Sequence, residues 1–291
     1  MISGTRMPVP LKRLVHFGSR SVGRLTAGRR VLPSFLLCGG QRCGTTSLYR
    51  ALAAHPVVLK AVWHKGVHYF DTGYHHGPAW YRGHFPLRRT AKRVEAEHGV
   101  PAVAFESSPY YLYHPHAPAR IARDLPEAKI IVLVRDPVER AVSHHAHEVA
   151  RGFEPEPDFA RALELEPARL RGQRERLLAD PLAYSFSHQH HGYRARGEYS
   201  SYLDDLARHV PRRRILVLES ELFFTDPKPV YDTVLEFLGL PHRGYPDFGR
   251  HNASPRRTGL PRTLRGELTA HFAAHDTALT RWLSRTPIWR A

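Results

Sequence analysis

The chain of 291 residues has only two cysteines, Cys38 and Cys43, and both flank one turn. Two thiols so placed exclude a disulfide framework. Such sparse cysteine fits a reducing compartment, and a cytoplasmic location is expected. No apolar run reaches the roughly 18–20 residues of a membrane span. The N-terminus lacks an uninterrupted apolar core followed by a cleavage site, so it does not read as a secretory signal. Lysine is scarce, at six of the 43 basic residues, and the bias toward Arg and Ala matches the coding habit of a GC-rich bacterial genome.

Acidic residues number 27, which leaves a net charge of +16. That balance favours anionic ligands. No helix-turn-helix, zinc-finger or RNA-binding signature accompanies it, so no nucleic-acid partner is expected. The 21 histidines raise the question of a metal. His144 and His147 have helical spacing, and His188, His190 and His191 cluster, but no Cys, Asp or Glu set completes a site around either group. No metal is expected. Length and 42% hydrophobic content fit one large domain. Residues 1–32 read as a basic N-terminal arm, only weakly amphipathic through Val15, Phe17, Val22 and Leu25: a disordered arm, or a surface helix touching anionic lipid. Residues 33–291 read as the domain.

What is present begins with LLCGGQRCGTTSLYRA at 36–51. It reads as a buried strand, a glycine turn and a helix start, the arrangement that holds a phosphate. Gly39 and Gly44 let the backbone bend inward, and Thr45, Thr46 and Ser47 add hydroxyls at the positive end of the helix. The spacing matches G-x-x-x-x-G-K-[ST] except that Thr45 stands where the Lys belongs, and the nearest cation is Arg42. A kinase or NTPase needs that Lys on the terminal phosphates, so this reading is disfavoured.

A second strand–turn–helix follows at 128–149, AKIIVLVRDPVERAVSHHAHEV. The run 130–134 suits a strand buried on both faces. Arg135, Asp136 and Pro137 end it, with Pro137 at the first helical turn. Ser143 lies eight residues after Arg135, within reach of the same ligand.

These two motifs, in this order, resemble those of sulfotransferases that use 3′-phosphoadenosine 5′-phosphosulfate (PAPS). Gln41-Arg42-Cys43-Gly44-Thr45-Thr46-Ser47-Leu48 is similar to their 5′-phosphosulfate loop. RDPxxRxxS is similar to their 3′-phosphate motif, with His145 where many members have Tyr. His64-Lys65-Gly66-Val67-His68-Tyr69-Phe70-Asp71 resembles the KEVHYFD segment of heparan-sulfate-type and related bacterial members. Glu106-Ser107-Ser108-Pro109-Tyr110 resembles their E-[KS]-[ST]-P-x-Y segment. The likeness runs from about Pro33 to Trp289.

The resemblance implies a PAPS-dependent sulfotransferase acting on a hydroxyl or amine, with a carbohydrate or glycosylated small molecule as acceptor and PAPS as cosubstrate without metal. The donor would be held by Arg42, Cys43, Gly44, Thr45, Thr46, Ser47, Arg135 and Ser143. Arg256 and Arg257, in the basic turn 251–259, would reach the 3′-phosphate. Lys65 and Arg42 would neutralise the leaving group. One departure matters: the Glu expected as catalytic base is Gly66. His68 is the first candidate to replace it, and Glu106 the second. A P-loop kinase-like protein or a decayed PAP-binding protein are the rival readings. Nothing in the pattern identifies the acceptor or an oligomeric state.

Strands expected at 34–38, 57–59, 102–105, 130–134 and 215–218 alternate with helices at 45–54, 117–124, 138–150, 159–178, 199–209, 230–238 and 261–282. This is an α/β pattern: a P-loop-like three-layer sandwich with a central parallel sheet flanked by helices. Loops 39–47, 64–71, 106–110 and 135–143 are expected to converge at the strand carboxyl ends. The stretch 181–197, polar, aromatic and rich in histidine, reads as the loop that sets acceptor specificity.

Overall fold

The computed structural model describes residues 23–249 and 260–291. Short runs of branched apolar residues form the strands β1 (Phe35–Leu37), β2 (Val58–Lys60), β3 (Val103–Glu106), β4 (Lys129–Val134) and β5 (Ile215–Glu219). They make one sheet in the order β2-β3-β1-β4-β5, and every pair is parallel. Residues Phe35 to Leu37 and Ile130 to Val134 are 0% exposed, as central strands covered on both faces must be.

Parallel neighbours need crossovers, and helices supply them. Those of eight residues or more are α1 (Thr45–Ala53), α2 (Arg88–His98), α3 (Ala117–Asp124), α4 (Pro137–Ala150), α5 (Phe159–Leu170), α6 (Tyr199–Ala207), α7 (Pro227–Leu238) and α8 (Arg262–Leu283). The fold is therefore the expected α/β architecture with a central parallel sheet between helices. The connection leaving β1 runs toward the β2 edge, and the one leaving β4 runs toward β5. The strand carboxyl ends on either side of this reversal border the crevice in which such sheets bind ligands.

Two local expectations need correction, and two further features were not anticipated. Residues 159–178 are two helices, α5 and Gln173–Ala179, separated by Gly172 with φ +70°. Helix α2 was not anticipated, because its one buried residue is Ala91 and its pattern is otherwise polar. Residues 181–197 are more ordered than a loop, with a helical turn at Phe186–His190 and a 3₁₀ turn at Ala195–Gly197. The end of the presumed arm is docked: Arg30 donates to Thr26 Oγ1 at 2.8 Å and to the Phe85 carbonyl at 2.6 Å, and its backbone bridges Leu87. Residues 1–22, with most of the arm's basic and amphipathic character, lie outside the described residues. Among the described residues no helix is long and apolar enough to cross a membrane.

Candidate active site

The chain after β1 keeps pairing with β4 before it turns. Gly40 N–H donates to the Leu133 carbonyl at 2.9 Å. Gly39 has to be glycine, since a Cβ there would meet the Leu133 nitrogen at 2.3 Å. Gly44 caps α1 in the left-handed region, φ +80°, a conformation that favours glycine. The turn therefore ends at the N-terminus of α1, beside the carboxyl end of β1.

Cations enter this turn from two sides. Lys65 Nζ donates to Thr45 Oγ1 at 3.0 Å and to Thr46 Oγ1 at 3.1 Å. The positive charge missing from position 45 is thus supplied by a different segment. Burial lowers the Lys65 pKa to about 7, so the ammonium lacks a counter-charge that an anionic ligand would provide. On the other side Arg42 Nε donates to Ser143 Oγ at 3.0 Å, and Arg135 reaches the Arg42 carbonyl at 3.4 Å. The 39–47 turn and the two residues of the second motif meet in one place.

Arg42 and His68 are two of the three non-glycine residues with positive φ among those described, at +72° and +56°. Such backbone is costly and persists where the surroundings enforce it, often at functional sites.

His68 is held from below. Its N–H donates to Ser108 Oγ at 3.1 Å, and Nδ1 lies 2.8 Å from Asp71 Oδ2. The Asp71 carboxylate is fully buried, and 44% of the His68 side chain is exposed. Burial lowers the His68 pKa, but the Asp71 charge and hydrogen bond outweigh it, and the net shift is upward from 6.5. With Nδ1–H donating to Asp71, the neutral ring carries its lone pair on Nε2.

Gly66 lies under this ring. A Cβ there would sit 2.6 Å from the Ser107 carbonyl and 2.9 Å from Ser108 Oγ. The 64–71 segment therefore packs too closely on the turn after β3 to carry a carboxylate at position 66.

Glu106, the second candidate base, makes the contacts of a loop anchor. It is 0% exposed. It accepts from the Val67 N–H at 2.8 Å, from Ser108 and Tyr111 hydroxyls each at 2.7 Å, and from Tyr81 at 3.2 Å. Burial pushes its pKa up, against the bonds that favour the anion. Both oxygens are occupied by internal donors and neither is turned to the crevice. Through Val67 and Ser108 this carboxylate holds the segment that presents Lys65 and His68.

Cys43 packs its thiol inward, 3.5 Å from Tyr199 OH. Its side chain is 0% exposed, its N–H donates to the Gly40 carbonyl at 3.1 Å, and burial raises the thiol to about 11. Ser47 is 4% exposed, and its N–H bonds Gly44 within the helix start; both residues shape the turn. Arg256 and Arg257 lie outside the described residues.

Several contributors were not anticipated from the sequence. Asp71 was quoted in a motif without a role, although the His-x-x-Asp spacing was a usable signal. Gln41 donates to Glu148 at 2.8 Å and accepts from Arg196. Arg196 stacks 4.8 Å from the Tyr110 and Tyr113 ring centres, and Tyr110 OH lies 2.7 Å from His188 Nδ1. The 181–197 segment is thereby tied to the 39–47 turn and to the turn after β3. The clustered histidines serve this scaffold: His190 bonds Glu148 and His191 the Phe153 carbonyl.

Comparison with known proteins identifies the family. Residues 32–248 match the family model described as "Sulfotransferase domain". The chain is 32% identical over 214 residues to mouse (Mus musculus) heparan sulfate glucosamine 3-O-sulfotransferase 3B1, covering 74% of this chain and 48% of that protein. It is 31% identical over 225 residues to human (Homo sapiens) bifunctional heparan sulfate N-deacetylase/N-sulfotransferase 3, covering 74% of this chain and 23% of that one. The chain thus spans about half the length of the first and about a quarter of the second. A solved sulfotransferase from Alicyclobacillus acidocaldarius superposes with a TM-score of 0.65 at 27% identity, covering 90% of this chain and all of that one.

Proposed function

This chain belongs to the sulfotransferase domain family, and we propose that it moves a sulfuryl group from PAPS to a hydroxyl or amine of a carbohydrate or glycosylated small molecule. The observation that carries the reading is the meeting of Lys65, Thr45, Thr46, Arg42, Ser143 and Arg135 at the carboxyl ends of β1 and β4. A 5′-phosphosulfate fits the α1 end of this crevice, under Lys65. A 3′-phosphate fits the Arg135–Ser143 end. The glycan acceptor is supported by the substrates named for the two heparan sulfate relatives.

In this scheme the acceptor O–H or N–H gives its proton to His68 Nε2 while Asp71 holds Nδ1–H and stabilises the imidazolium. The acceptor atom forms the new bond to sulfur as the bond from sulfur to the bridging phosphate oxygen breaks. The electron pair stays on the departing phosphate, where Lys65, Arg42 and the α1 N–H groups stabilise the charge. Products are the sulfated acceptor and 3′,5′-adenosine bisphosphate (PAP).

The test is incubation with PAPS and a panel of oligosaccharides, amino sugars, phenols and lipid-linked glycans, read by mass spectrometry. Gain of one SO₃ group on a glycan, absent with His68→Ala, supports the proposal. ATP turnover in place of sulfuryl transfer, or transfer to none of the classes, contradicts it.

A further inference from the structure

Away from the crevice, α8 carries a histidine pair. His271 and His275 are four residues apart in this helix, so both rings leave one face. Glu198, just before α6, lies opposite. Its Oε1 is 3.1 Å from His271 Nε2, and one donor atom from each of Glu198, His271 and His275 lies within 4.8 Å of the other two. Two imidazoles at i, i+4 and a carboxylate from another element are the donors preferred by zinc-class cations. Bonds to a tetrahedral zinc place donor atoms about 3.3 Å apart, so the three need to close by no more than about 1.5 Å.

We propose that Glu198, His271 and His275 bind a zinc-class divalent cation that ties α8 to the start of α6, apart from the sulfuryl-transfer crevice. The backbone already holds these donors face to face. A Cβ on Gly197 would meet the Phe272 ring at 2.7 Å, and Phe272 is fully buried. The residue before the carboxylate is thus pressed onto the residue after the first imidazole.

An outer partner is also in place. Ser200 Oγ lies 3.5 Å from His275 Nδ1. Were His275 to hold the cation through Nε2, Nδ1–H would be placed to donate to that hydroxyl oxygen, the arrangement that fixes a ligating imidazole. The His271 and Glu198 side chains are 34% and 26% exposed, so a hydrated ion reaches them without opening the core. Three protein donors leave a position for water. Arg196, two residues before Glu198, donates to Gln41 of the donor turn. A bound cation would stiffen the element that carries this contact.

The experiment uses the full chain without a histidine tag, stripped with EDTA and titrated with Co²⁺ while the visible d–d absorption is recorded. One equivalent should bind, and Zn²⁺ should displace it. Zn²⁺ at a hundredfold excess over its Kd should raise the unfolding midpoint by about 5 °C or more, with Mg²⁺ inert. His271→Ala should abolish the cobalt band. Glu198→Gln should weaken binding at least about tenfold. His209→Ala, at an exposed histidine, should change nothing. A band that survives His271→Ala, or no binding at millimolar Co²⁺, overturns the proposal.

Discussion

Arg42 and Ser143, 101 residues apart in the chain, meet at 3.0 Å, the Arg42 Nε donating to the Ser143 hydroxyl. This contact joins the glycine turn after β1 to the helix after β4, and Arg135 completes it through the Arg42 carbonyl. A ligand with phosphates at both ends would be gripped by both elements. Charge-assisted bonds contribute about 1.5–3 kcal/mol each. Arg135→Ala should therefore weaken PAP binding by about tenfold or more in calorimetry, with little change in unfolding temperature. Unchanged affinity would remove Arg135 from the donor site.

Lys65 should give the proposed donor site a pH dependence. Its pKa is near 7 in the free protein, and an anionic ligand must raise it. The charged form is present below 7 and is lost as pH rises above it, so PAP affinity should fall by up to about tenfold per pH unit above 7. Binding at pH 8 should take up close to one proton, measured as a dependence of the calorimetric heat on buffer ionisation. Lys65→Met should remove both effects.

The His68–Asp71 pair sets the opposite limb. His68 has to be neutral to accept a proton, and its pKa is raised above 6.5. The ratio kcat/KM should therefore fall as pH drops through a value above 6.5. His68→Ala should lower kcat by about 10²–10⁴ while PAP still binds. Asp71→Asn removes the raising influence, so it should shift the acid limb to lower pH and slow turnover.

Gly66→Glu restores the carboxylate of the KEVH pattern, yet it should not restore its chemistry. The new Cβ would lie 2.6 Å from the Ser107 carbonyl. Overpacking of this kind costs about 1–3 kcal/mol. A lower unfolding temperature with reduced kcat is expected; a gain in kcat would show that the segment yields and that Glu works there.

Glu106→Gln tests the anchor. It leaves hydroxyl and N–H donors facing an amide, and each poorly satisfied buried group costs about 1–3 kcal/mol. Thermal stability and kcat should fall together. Loss of kcat at unchanged stability would make Glu106 a participant in proton transfer.

The sheet and the donor turn were legible because their signals are local. Gly39, Gly44 and the Thr45–Ser47 hydroxyls carry the turn's geometry in consecutive positions, and the apolar run at 130–134 is the central strand β4. Convergence of the loops then follows from parallel topology. The direction of a buried side chain is not encoded that way. Nothing near Glu106 in the sequence tells whether its oxygens face the crevice or Tyr81 and Tyr111, which bond it from 25 and 5 residues away. Arg196 and Gln41, 155 residues apart, form a contact that only the folded chain reveals. Helix α2 escaped because Ala91 alone marks its inner face.

The most direct test of the account is calorimetric titration of the wild-type chain with PAP and, separately, with adenosine 5′-monophosphate. A crevice that grips both ends should bind one PAP, with the nucleotide lacking the 3′-phosphate weaker by about tenfold or more. Equal affinity for the two, or no binding of PAP, would contradict it.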